Sequence, residues 1–167
     1  MMSLDWIEGP KLVQVGKNAS FYIPSEYVFL NPKDTETMME LFHNPKSSRS
    51  RYYFGPSNMR WFGLFSYEET GYIKDNEEID ANAVLKSIKE GTEAGNKHRL
   101  SKGWSAMTIL GWKYQPFYDP QTQRLDWAID AISDNVPVIN YNTRILGRHG
   151  VTSATLVASP DSLQNDV

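Results

Sequence analysis

The 167-residue sequence predicts an α+β fold: a largely antiparallel β-sheet, a meander in its C-terminal half, with one long and one short helix packed on it. Three observations carry that expectation. Aromatic residues make up 13% of the chain, with 5 Trp, 9 Tyr and 7 Phe, and aromatic and β-branched side chains favour the half-buried surface of a sheet. The runs after Gly103 are joined by turns too short for a crossover, so those strands pair antiparallel. Between early strands and late ones, the Pro-free stretch Ala81 to Lys102 has the apolar period of a helix.

Lys11–Gly16 and Ala19–Pro24 read as a hairpin about the turn Gly16-Lys17-Asn18, and Tyr27–Leu30 as a third short strand. Asn31-Pro32-Lys33 stops that strand. Asp34 is then a candidate cap for a short helix over Thr35 to His43, with Met38, Leu41 and Phe42 on its apolar side. Asn44 to Arg51 is polar, small and basic, and reads as a mobile loop. Tyr52–Gly55 and Met59–Tyr67 form the next hairpin. In its second strand Trp61, Gly63, Phe65 and Tyr67 alternate with Phe62, Leu64 and Ser66, so both faces carry apolar groups and the strand is a central one.

Asp80 caps the long helix and Gly103 closes it, with Gly91 and Gly95 on a small-residue stripe that suggests close approach to the sheet. Ala106–Tyr114, Arg124–Ser133, Val136–Leu146 and Val151–Ala158 are the meander strands. They are separated by Pro116–Thr122, Asp134-Asn135 and Gly147–Gly150.

The composition, 40% hydrophobic and 22% charged with a net charge of -3, is that of one globular domain spanning 1–167, long enough to bury about 70% of its unfolded surface. An acidic balance argues against a nucleic-acid partner, whose affinity rests on Lys and Arg neutralising phosphates. The absence of cysteine excludes thiolate metal sites, thiol catalysis and disulfides. The three histidines, His43, His98 and His149, have no metal-ligand spacing, and nucleotide, dinucleotide and Ser-elbow motifs are missing, so no metal and no cofactor is implied. The adjacent acids Glu68-Glu69 and Glu77-Glu78 point to opposite sides and cannot act together on one bond.

The remaining candidates are aromatic and polar. Tyr67, Tyr72, Trp112 and Tyr118 supply amphipathic rings, and Asn140, Asn142 and Arg144 share one face of a strand opposite Ile139, Tyr141 and Ile145. Arg148 and His149 stand in the glycine-bracketed turn that follows. Convergent Trp, Tyr, Asn and Arg are the groups binding surfaces use. A sheet with one wet face would show the same pattern, and a plain hairpin tip explains the turn. Beyond those plain readings, a ligand- or protein-binding module comes first, an enzyme of unrecognised type second and a purely structural envelope component third. In that second reading Asn140 to Arg144 and His149 would do the chemistry, with hydrolysis the reaction to consider.

Several words in the chain carry a resemblance: Leu4-Asp5-Trp6-Ile7-Glu8-Gly9-Pro10, Phe65 to Asp75, Leu85 to Thr92, Gly111-Trp112, Tyr118-Asp119 with Arg124 to Ala128, and Val138 to Val151. Together the sequence resembles an uncharacterised bacterial family of predicted membrane-anchored proteins, a domain of unknown function. The resemblance implies a secretion signal before this region and a hydrophobic anchor after it. It places the domain in the periplasm, on the outer side of the inner membrane of a Gram-negative cell, facing an unknown ligand or envelope protein. Membrane association would then run only through segments absent from this chain, an extracytoplasmic piece of a longer protein. No catalytic residue carries over.

Overall fold

The structure is a computed structural model and describes residues 4–16, 19–70 and 79–166. It is α+β, as the alternation predicts. Ten strands and three helices occur among those residues: β1 Ile7–Glu8, β2 Lys11–Val15, β3 Ala19–Ile23, β4 Tyr27–Leu30, α1 Pro32–Leu41, β5 Tyr52–Pro56, β6 Trp61–Glu68, α2 Ala81–Ser101, β7 Thr108–Asp119, β8 Arg124–Ser133, β9 Val136–Leu146, β10 Val151–Ala158 and α3 Pro160–Asp166. Eight strands make one sheet in the order β1-β4-β5-β6-β10-β9-β8-β7, and β2 with β3 forms a separate hairpin. Every neighbouring pair is antiparallel. β7 to β10 are the expected meander, and β6, paired with β5 and β10, is interior.

Alternation gives this sheet two distinct faces. On the first, Trp61, Gly63, Phe65 and Tyr67 of β6 lie beside Ala158, Leu156, Ala154 and Thr152 of β10. The β2–β3 hairpin sits here, because Phe21 packs its ring 5.0 Å from Phe54, 5.2 Å from Phe65 and 6.1 Å from Phe29. The Tyr52 hydroxyl accepts a hydrogen bond from the Gly16 amide at 2.9 Å and ties the hairpin to β5. We call this the hairpin face.

On the opposite, helix face, Val28, Leu30 and Tyr53 join Met38 and Met39 of α1 in the buried core, with Phe62 and Leu64 packed against them. α2 reaches the same side: the Arg99 guanidinium approaches the Asn44 carboxamide oxygen at 3.4 Å. The His43 ring stacks on Trp104 at 5.2 Å, while Ile129 and Ala131 are buried on this face of β8. Asn96 of α2 clamps the strand entry by bonding both the amide and the carbonyl of Met107, each at 2.8 Å.

Several boundaries differ from expectation for local reasons. Asn31, not Asp34, caps α1; its side-chain oxygen accepts from the Asp34 amide and its amide donates to the Asp34 carboxylate, with Pro32 opening the helix. β7 runs through Pro116 to Asp119 instead of ending at Tyr114, because it is the sheet's edge strand, where proline forfeits no ladder bond and three register shifts are accommodated. Ser159 and Pro160 open a third helix, the Ser162 amide donating to the Ser159 hydroxyl.

The glycine stripe of α2 does not touch the sheet. A Cβ at Gly91 would meet nothing within 4 Å, and one at Gly95 only the Arg99 guanidinium at 3.1 Å. The basic loop is stitched down by Arg51 to Glu36 at 2.8 Å, Arg49 to Glu68 at 2.8 Å and the Ser47 amide to Glu36 at 2.9 Å. The turn residues Lys17 and Asn18 and the acidic pair Glu77-Glu78 lie outside the described residues.

Candidate functional site

Among the described residues, each face of the sheet carries a recess where its covering element stops short. On the hairpin face a groove of about 1070 Å3 runs between the β2–β3 hairpin and the strands β6 and β10. Its floor is low because β6 places Gly63 and β10 places Ala154 there, and its walls are Phe21, Tyr52, Phe54, Trp61, Phe65 and Tyr67. Tyr67, half exposed, stands at the mouth. Glu69 is the one formal charge in the lining among the described residues. The strands beneath are each paired on both sides, so the floor offers no free backbone edge.

On the helix face a cleft of about 590 Å3 lies between the end of α1, the loop from Ser47 to Arg51, and the strands β6, β10 and β9. Its walls are mixed. Phe62, Leu64 and Val157 are apolar, whereas Ser66, Ser153, Thr155 and Asn140 form a polar tract across three strands. His43 and Asp134 meet at 3.2 Å in the same lining.

The alternation on β9 holds: Asn140, Asn142 and Arg144 all point to the helix face, opposite Ile139, Tyr141 and Ile145. They do different things. Asn140 lines the cleft, and its side-chain Oδ1 is buried without a hydrogen-bond partner. Asn142 is occupied, accepting from the Thr155 hydroxyl at 2.8 Å and donating to the Asn140 carbonyl at 3.0 Å. Arg144 lies over the Trp127 ring, 5.4 Å from its centre. Desolvation there, with the like charge of Arg49, lowers its pKa from the usual arginine value, and Glu68 acts the other way.

The other predicted residues are dispersed. Trp112 and Tyr118 face the same way as Asn140 but on β7, two strands from β9, about 10 Å across the ladder. The Trp112 indole N–H is buried without a partner. Tyr67 is on the opposite face. Arg148 and His149 are exposed in the turn, His149 with no hydrogen bond among the described residues. Tyr72 lies outside the described residues. The turn owes its shape to Gly150, where a Cβ would stand 2.1 Å from the Glu68 carbonyl oxygen.

Sequence reasoning missed the groove's principal walls, Phe21, Phe54 and Trp61, and the cleft's Ser66, Ser153 and Arg49. For β6 the signal was present in the alternation of Trp61, Gly63, Phe65 and Tyr67. For Phe21 it was not, since nothing local says the hairpin folds over the sheet. Among the described residues no group of three or more His, Asp or Glu is placed to hold a metal ion, and no helix is long and apolar enough to cross a membrane.

Fold and recesses together define an α+β domain built on one long antiparallel sheet, with an aromatic groove on one face and a polar cleft on the other. A family model described as protein of unknown function (DUF2167) matches residues 7–166, and the chain belongs to that family. No curated protein matches the sequence. The fold is similar to the solution structure of cyanobacterial PsbP (CyanoP) from Synechocystis sp. PCC 6803, with a TM-score of 0.50 at 9% identity, covering 98% of this chain and 85% of that one. At that identity the likeness is one of fold.

Proposed function

We propose that this is a non-catalytic binding domain of a membrane-anchored envelope protein, working on the outer side of the inner membrane, and that its hairpin-face groove takes an apolar chain such as a lipid acyl group. The observation that carries the reading is the groove itself. It has the volume of a small-molecule site and is lined by rings over a floor of Gly63 and Ala154. A peptide laid there would leave its own N–H and C=O groups unpaired against interior strands, a cost of roughly 1–3 kcal/mol for each buried group. An acyl chain has no such groups. The family resemblance supports the location, and the exposed, unpartnered His149 weighs against the enzymatic alternative.

Gly63 permits a clean test. A Cβ there meets only the carbonyl oxygens of Phe54 at 3.6 Å and Thr155 at 4.0 Å, ordinary contacts, so a side chain can start from this position, and Gly63→Leu is expected to fill the groove from its floor. In a fluorescence titration with N-phenyl-1-naphthylamine, the parent domain is expected to bind saturably and Gly63→Leu to lose that binding with its melting transition retained. Equal binding by both proteins would refute the groove as the site.

A further inference from the structure

We propose that the helix-face cleft is a second, separate site for a hydroxylated organic anion, a sugar acid or glycosyl phosphate, held at one end by Arg49 beside Ser66 and Ser153, with Arg144 next to Ser153 at the rim, and at the other end by Asn140. The register brings these groups together from different parts of the chain. Ser66 of β6 pairs with Ser153 of β10, and Ser153 pairs with Arg144 of β9, so two hydroxyls and a guanidinium stand in one cross-strand row. Arg49 comes from the stitched loop and lies near enough to Arg144 for the two charges to oppose each other.

Charge counting singles out this end of the cleft. Arg51 is matched by Glu36. Arg49 and Arg144 both feel Glu68, which Arg49 already holds at 2.8 Å. Among the described residues, two guanidinium groups against this one carboxylate leave one positive charge, in a chain whose net charge is -3. The Arg144 guanidinium, 5.4 Å from the centre of the Trp127 ring, belongs to an exposed residue whose planar donors suit a carboxylate or phosphate.

The far end asks for a different group. The Asn140 carboxamide has an unmet hydrogen-bonding atom in the cleft wall, and a hydroxyl, which both donates and accepts, satisfies it whichever way the amide is turned. Asn140 and Arg144 are four residues apart on one strand, about 13 Å. One ligand that touches both therefore has the length of a disaccharide acid. Phe62, Leu64 and Val157 supply the apolar wall on which a sugar ring can lie.

The test uses lactobionate as the probe, with lactose and acetate as controls for its two halves, followed by isothermal titration calorimetry. Saturable binding of lactobionate is expected, tighter than either control. Arg144→Gln and Asn140→Ala are each expected to weaken it about tenfold or more, the scale of one lost hydrogen bond to a charged or buried polar group. Should Arg144→Gln fail to fold, Arg144→Lys keeps the charge and loses the fork, and a several-fold weakening is expected. Gly63→Leu, on the opposite face, should bind lactobionate like the parent, which separates this site from the apolar groove. No saturable binding by the parent, lactose binding as tightly as lactobionate, or parent-like affinity in Asn140→Ala would overturn the proposal.

Discussion

Tyr53 shows how much one side chain can report about this core. It is fully buried between β4, β6 and α1, and its hydroxyl has no hydrogen-bond partner. Burial pushes its pKa from 10.0 up to about 12. The folded state thus holds the proton more tightly than the unfolded chain, so its stability is intact below the unfolded value and falls as the pH rises from 10 towards 12, by up to ~1.4 kcal/mol per pH unit. Tyr53→Phe keeps the ring and removes the unpaired hydroxyl. We expect it to raise stability at neutral pH by about 1 kcal/mol and to flatten the alkaline decline, both read by urea unfolding across the pH range. An equal decline in both proteins would mean that another group titrates. At this scale the sequence was informative about direction and silent about partners. Alternation alone put Asn140, Asn142 and Arg144 on one face, but that Thr155 engages Asn142 while Asn140 is left with an unmet atom depends on β10, which lies beyond any local pattern.

Among the elements, α2 was the most legible and yet its glycines were misread. Asp80 caps it as expected, its carboxylate accepting from the amides of Asn82 and Ala83 at 2.9 and 3.0 Å, and Gly103 follows with φ of 74°. The helix meets the protein through Asn96, His98 and Arg99, and Gly91 faces open space. Gly91→Ala is therefore expected to stabilise by about 1 kcal/mol through helix propensity, a rise of about 3 °C in melting temperature. A fall would mean that Gly91 has a close neighbour after all. Elsewhere the errors have definite causes. The cap of α1 moved from Asp34 to Asn31 because two polar residues three apart can each serve, and the proline at the first helical position settles it. Pro116 looked like a strand end because its edge position is a property of the sheet order, not of its neighbours in sequence. Ser159-Pro160 has the residues of a helix start, and α3 begins there.

For the whole molecule, the class of fold was legible because it rests on short-range facts: period-two alternation, short turns and one amphipathic run. The recesses were not, because each arises where elements distant in sequence stop short of one another. The aromatic groove exists only because Phe21 brings the β2–β3 hairpin over β4, β5 and β6, and the polar cleft only because the end of α1 and the loop bearing Arg49 stand apart from β9. The groove is the broader of the two and carries the central claim. Its most direct test is chemical-shift mapping of the isotope-labelled domain with dodecanoate. Perturbations confined to Phe21, Tyr52, Gly63, Phe65, Ala154 and Leu156 are the predicted result; shifts centred on β7 and β8, or none at all, would contradict it.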